Sequence, residues 1–100
     1  LGVAYKPDVA DQRESPAAPL ARHLANLGAR VLYHDPHVAQ WNVPGVAVNR
    51  VADLQTAVTE ADLVILVQNH RSYDAQALAS RSQHFFDTRG VTTGEVSQRL

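Results

Sequence analysis

Residues 63–67 read LVILV, five consecutive apolar positions between Asp62 and Gln68. A run this short and this rich in β-branched residues is a strand rather than a helix, and apolarity at every position means that both of its faces are covered. Strands of that kind belong to parallel sheets with helices packed on the two sides. The rest of the chain must therefore supply helices and further short strands.

It does so in alternation. Residues 1–5, LGVAY, read as a first strand, and Lys6 stands at its end. Ser15-Pro16 offers a capping hydroxyl and a proline at the first helical position, after which Ala17, Leu20, Ala21, Leu24 and Leu27 recur at helical spacing and Gly28 takes the C-terminal cap. With that cap Pro19 becomes the fourth helical residue and removes an early backbone bond, so the first turn loosens or the cap shifts. Residues 30–33 form a second strand closed by His34-Asp35-Pro36, and residues 36–49 are a turn-rich connection with a short extended piece at 46–48. Asp53 caps a helix whose Leu54, Ala57, Val58 and Ala61 share one face. Ser72 caps a short helix over residues 73–79, Phe85-Phe86 form the last strand, and residues 92–100 show no strong pattern.

Strands and helices alternating through short connections predict an α/β fold, a Rossmann-like three-layer domain with a mostly parallel sheet of about five strands, residues 1–100 forming one domain. Parallel crossovers are right-handed, so every strand presents its carboxyl end at the same edge. Lys6, His34, Asp35, residues 68–70 and Arg89 are thereby brought to one rim, where open α/β sheets bind their ligands.

The chemistry of that rim is limited by composition. Nine basic and ten acidic residues leave a formal charge of −1, too little field to attract nucleic acid or an anionic membrane surface. Any anion must be held locally. The chain has no cysteine, which excludes disulfides, thiolate metal sites and thiol catalysis by these residues, and no apolar run is long enough to span a membrane. A cytoplasmic protein is the expectation. The abrupt apolar start suggests a fragment of something longer.

Lys6 is the single lysine, at a strand end near a helix N-terminus, a place suited to phosphate; the alternative is a surface lysine paired with Asp8 or Asp11. Residues 2–7, GVAYKP, do not satisfy G-x-G-x-x-G, because Tyr5 and Lys6 stand where the backbone must approach a pyrophosphate, so NAD is not expected here. The Tyr5 ring is available to pack on a ligand. Asp11, Arg13 and Ser15 belong to a charged loop that either contacts ligand or subunit, or serves solubility and capping. His34-Asp35-Pro36-His37 invites a metal, but without a third nearby histidine or any cysteine a strand terminator is favoured, and no metal is expected. His70 either touches a ligand or closes the sheet edge. Arg89 presents a fork to an anion or pairs with Asp87. No catalytic constellation can be assembled.

Residues 2–16, GVAYKPDVADQRESP, resemble the signature opening the C-terminal domain of the UDP-glucose/GDP-mannose dehydrogenases, and residues 28–31, 33–36, 61–62 with His70, and 86–89 agree in order. The resemblance implies a domain that binds the nucleotide of a UDP-sugar, with Tyr5, Lys6 and Arg89 contacting substrate and Asp11, Arg13, Ser15 and His70 supporting. It also implies a longer NAD-dependent enzyme, with NAD and the catalytic cysteine in N-terminal and central domains outside this segment, working as a homodimer in polysaccharide precursor synthesis. Alone, the segment should be inactive. A nucleotide-sugar sensor or an assembly module of the same fold is the alternative, and uracil and guanine are not distinguished.

Overall fold

The computed structural model describes residues 1–4 and 15–93 in full, and the backbone of residues 98 and 99. The chain is a small α/β domain whose elements run α1 (Ala17–Asn26), β1 (Val31–Tyr33), β2 (Val48–Arg50), α2 (Leu54–Glu60), β3 (Val64–Leu66), α3 (Ala75–Arg81), β4 (Phe85–Asp87) and β5 (Gln98–Arg99).

Every strand pair is parallel, as expected, but the strands fall into two sheets, β1–β2 and β3–β4–β5. The first residues lie between them. The Leu1 amine donates to the Ile65 carbonyl at 2.7 Å and the Leu1 carbonyl accepts from Val67 N–H at 2.9 Å, a parallel-strand pattern. On the other side Gly2 N–H donates to the His34 carbonyl at 2.9 Å. The expected strand over residues 1–5 is corrected at this point. Val3 and Ala4 give their N–H groups to the Asp35 side chain instead of to a neighbouring strand, so no ladder continues, and Tyr5 lies outside the described residues. Gly2 is required here: its φ is +76°, and a Cβ on it would stand 2.0 Å from the Gln68 carbonyl oxygen.

Two cores result. One gathers Val3, Ala17, Ala21, Tyr33, Val38, Trp41 and Val43 under α1, and the other gathers Val58, Val64, Leu66, Tyr73, Leu78 and Phe85 beneath α2 and α3. Val64 and Leu66 point into the second while Val67 packs against the first, as successive residues of one strand must. LVILV is thus covered on both sides at its centre, although Leu63 remains 49% exposed at its start. Within the first core Trp41 meets Tyr33 edge-on at 5.3 Å, so the connection carrying it is a packed lid rather than a free loop.

Helix ends follow local chemistry with two shifts. Ser15 Oγ accepts from Ala17 N–H at 3.1 Å while Pro16 takes the cap position, which makes Pro19 the third helical residue, where no intrahelical bond is lost. At the other end Ala29 N–H reaches the Leu24 carbonyl and Gly28 N–H the Ala25 carbonyl, with Gly28 at φ +92°, the bonds of a Schellman cap. Asp53 caps α2 as expected, accepting from Thr56 N–H and Oγ1. For α3 the cap is Asp74, not Ser72, and Tyr73 is a core residue ahead of the helix. The extended piece expected at 46–48 begins at Val48, after an antiparallel bridge between Val43 and Val46, and β5 falls in the tail that showed no pattern. Among the described residues no helix is long and apolar enough to cross a membrane.

Candidate functional site

Two aspartates organise the carboxyl edge of the sheets. Asp35, just past β1, is wholly buried, and its carboxylate takes four donors: Val3 N–H at 2.8 Å, Ala4 N–H at 3.2 Å and His70 Nε2 at 2.8 Å on Oδ2, and His37 N–H at 2.8 Å on Oδ1. Burial pushes this carboxyl up, but hydrogen bonds from His70 and the His37 and Val3 amides outweigh it, and the group ionises below the usual carboxylate range. One side chain thereby fixes the end of β1, the residues after β3 and the start of the chain.

Asp87, the last residue of β4, repeats the device. Its Oδ1 accepts from Arg89 and Gly90 N–H, each at 2.8 Å, and its Oδ2 from Thr92 N–H at 2.7 Å and Thr92 Oγ1 at 2.8 Å. Burial again raises the carboxyl and the bonds from Thr92, Arg89 and Gly90 bring it below its ordinary value. Thr88 Oγ1 donates to the Leu66 carbonyl at 2.6 Å, which ties the end of β4 to the end of β3.

Aromatic and imidazole rings fill the edge between these anchors. Tyr73 Oη donates to the His34 carbonyl at 2.8 Å, which makes His34 Nδ1 the donor to the phenol oxygen at 3.0 Å. Burial pushes the Tyr73 hydroxyl up and the His34 imidazole down, the latter helped by Arg50. His37 stacks edge-on against His70 at 4.8 Å. Arg50 Nη2 reaches the Asp35 carbonyl at 3.4 Å from the end of β2.

Of the residues singled out from sequence, Tyr5, Lys6, Asp11 and Arg13 lie outside the described residues. Of the described positions leading to them, Val3 and Ala4 give their amides to Asp35 at this edge. Arg89 lies on the exposed surface beyond β4; the Asp87 carboxylate is filled by backbone and Thr92 donors, so the guanidinium is not its partner. Ser15 is buried and accepts from Ala17 N–H ahead of α1, and His70 is buried on Asp35. No cluster of three or more histidine, cysteine, aspartate or glutamate side chains suited to a metal occurs among the described residues. The sequence places Asp35 on the rim as a strand terminator or member of a metal site, without its anchoring role, and gives no role to Tyr73 or Thr92. An aspartate at the end of an apolar strand is a signal in both YHDP and FFDT, but the partners of Asp35 31 to 35 residues away carry none.

The model of the UDP-glucose/GDP-mannose dehydrogenase family, UDP binding domain, matches residues 1–94. The chain belongs to that family. Its UDP-binding domain is similar to the corresponding part of the UDP-N-acetyl-D-mannosamine dehydrogenase of Yersinia pestis, 33% identical over 93 residues that make up 91% of this chain and 22% of that protein. The enzyme of the same description from Campylobacter jejuni is 35% identical over 78 residues, 73% of this chain and 19% of that protein. That from Methanocaldococcus jannaschii is 27% identical over 107 residues, 99% of this chain and 24% of that protein. The UDP-binding domain described here thus spans about a fifth to a quarter of the length of these curated relatives. No solved structure matches it. Dehydrogenases of this family use NAD.

Proposed function

We propose that the domain binds the nucleotide of a UDP-sugar at the carboxyl edge of its strands, within a longer NAD-dependent dehydrogenase that oxidises a sugar alcohol to a carboxylate for polysaccharide precursor synthesis. Lys6 and Arg89 carry the diphosphate, Tyr5 packs against the nucleotide, and Asp11, Arg13, Ser15 and His70 support the surrounding backbone. NAD and the catalytic cysteine belong to the N-terminal and central domains of the parent enzyme, which acts in the cytoplasm as a homodimer.

The observation that carries this reading is the exposed Arg89 beyond β4, its backbone clamped by Asp87 and its guanidinium left for another anion. A planar fork on a fixed backbone suits a phosphate. The segment that leads to Lys6 departs from the same edge, through the hydrogen bonds of Val3 and Ala4 to Asp35. Family membership supplies the uracil nucleotide as the expected ligand.

Calorimetric titration of the chain with UDP, with GDP as competitor, tests the reading. Saturable UDP binding that weakens at least tenfold in Lys6→Ala is the expected result, from loss of one charge-assisted contact. Equal affinity for the two proteins, or preference for GDP, would remove the assignment.

A further inference from the structure

The structure assigns Gln76 a positioning role for Arg89: its side-chain amide, paired with both backbone groups of Thr93, closes the loop from which the guanidinium meets the substrate diphosphate. The inference rests on the reading of Arg89 given above and adds a residue, on a different element, that does not itself touch the ligand.

The loop over residues 88–93 leaves β4 and is tied in three places. At its start Thr88 gives both N–H and Oγ1 to the Leu66 carbonyl, at 3.2 and 2.6 Å, which fixes it to the end of β3. In its middle the Asp87 carboxylate takes the N–H groups of Arg89, Gly90 and Thr92 and the Thr92 hydroxyl. At its far end Thr93 N–H donates to Gln76 Oε1 at 2.9 Å, and the Thr93 carbonyl accepts from Gln76 Nε2 at 3.0 Å. A carboxamide engaged at both ends against one residue's N–H and C=O reproduces the pairing that a neighbouring strand would give. Gln76 thereby docks the loop onto the first turn of α3.

Nothing in α3 itself requires this pair. The helix is capped by Asp74 and buries Ala75, Leu78 and Ala79, whereas Gln76 and Thr93 are both exposed. A long polar side chain held in one conformation at the surface loses rotamer freedom for bonds that water would otherwise make. What the pair does order is backbone: residues 88–93 become one unit bound to β3, β4 and α3. Within that unit the Arg89 guanidinium makes no hydrogen bond or ion pair among the described residues. An arginine whose backbone is already ordered loses less freedom when an anion engages its fork, which raises affinity without adding a contact.

A double-mutant cycle on the full 100-residue chain tests the role, with Gln76→Met, Arg89→Ala and their combination titrated calorimetrically with UDP. Methionine keeps the length and helix propensity of glutamine and removes both polar atoms. Positioning predicts that Gln76→Met weakens UDP binding about fivefold in the otherwise unsubstituted chain and less than about twofold in the Arg89→Ala background, because both changes act on one contact. The Thr93 amide should exchange faster in Gln76→Met while the Leu78 and Ala79 amides of α3 keep their protection. Equal losses in the two backgrounds, unchanged UDP affinity, unchanged Thr93 exchange, or loss of protection throughout α3 would each overturn the role. Gln76→Ala repeats the cycle without the apolar side chain that methionine introduces, and the same non-additivity is expected. The nucleotide reading is judged separately in the same data. A chain that does not bind UDP, or binds it equally after Arg89→Ala, removes the Arg89 assignment and this role with it, whereas UDP binding that depends on Arg89 but not on Gln76 removes this role alone.

Discussion

His70 Nε2 lies 2.8 Å from Asp35 Oδ2, with both side chains wholly buried and 35 positions apart in sequence. The pair closes the seam between the two small sheets, because the same oxygen also receives the amides that enter from the chain start. Removing one member of a buried pair leaves the other uncompensated, which is the costly case. His70→Ala should destabilise the fold by about 3 kcal/mol, read from urea unfolding at constant slope. A loss under about 0.5 kcal/mol would mean that solvent or another donor replaces the imidazole.

Gly2 and Gly45 both have positive φ, at +76° and +81°, yet only Gly2 faces an obstruction. Gly45→Ala should cost about 1–2 kcal/mol from backbone conformation alone. Gly2→Ala must in addition displace the Gln68 backbone and should cost clearly more, or prevent folding. Comparison of the two midpoints in urea separates close approach from conformational strain.

The start of α3 offers a direct contrast between its cap and the serine two residues earlier. Asp74 Oδ1 accepts from Ala77 N–H at 3.1 Å, so Asp74→Ala should lose about 1 kcal/mol. Ser72→Ala should stay within about 0.5 kcal/mol, since Ser72 is not the cap.

Arg89→Ala separates binding from stability. The Asp87 carboxylate holds the Arg89 N–H, which alanine retains, so the melting temperature should not move while UDP affinity falls about tenfold or more. A fall in melting temperature with unchanged affinity would move the guanidinium from ligand binding to the fold.

Acidity acts on the seam from its other side. Burial lowers the Leu1 α-amine from 8.0 to about 6, so between these values the unfolded chain binds the proton more readily and stability declines as pH falls from 8 to 6. Two pKa units correspond to about 2–3 kcal/mol in total. His34, lowered by burial and then by Arg50, adds to the decline below 6.5. Asp35 and Asp87 act at lower pH: their depressed carboxyls stabilise the fold above the ordinary value of 3.8, and that stabilisation is lost as pH falls through their folded values. Urea midpoints from pH 3 to 9 should show both declines, and a peptide fused ahead of Leu1, which turns the amine into an amide, should remove the upper one.

Sequence alone determined the parts of this domain whose cause is local. LVILV became β3 because an unbroken apolar run must be covered on both sides, α1 kept its place because Gly28 can adopt the left-handed turn that ends it, and Asp53 capped α2 through a bond to Thr56 three residues on. The parallel sense of the strands followed from alternation of strand and helix, and the family from residues 2–16. Tertiary structure decided what depends on partners far along the chain. Residues 1–5 read as strand, yet the Asp35 carboxylate outcompetes a ladder for the amides of Val3 and Ala4; Ser72 read as the cap of the third helix, and with Tyr73 buried in the core the cap falls to Asp74. His70 was open between ligand and sheet edge, and the described geometry puts its ring on Asp35. The physical reason is the same in each case: a hydrogen bond within one turn is encoded by adjacent residues, whereas a buried charge goes to whichever donors the folded chain brings together around it.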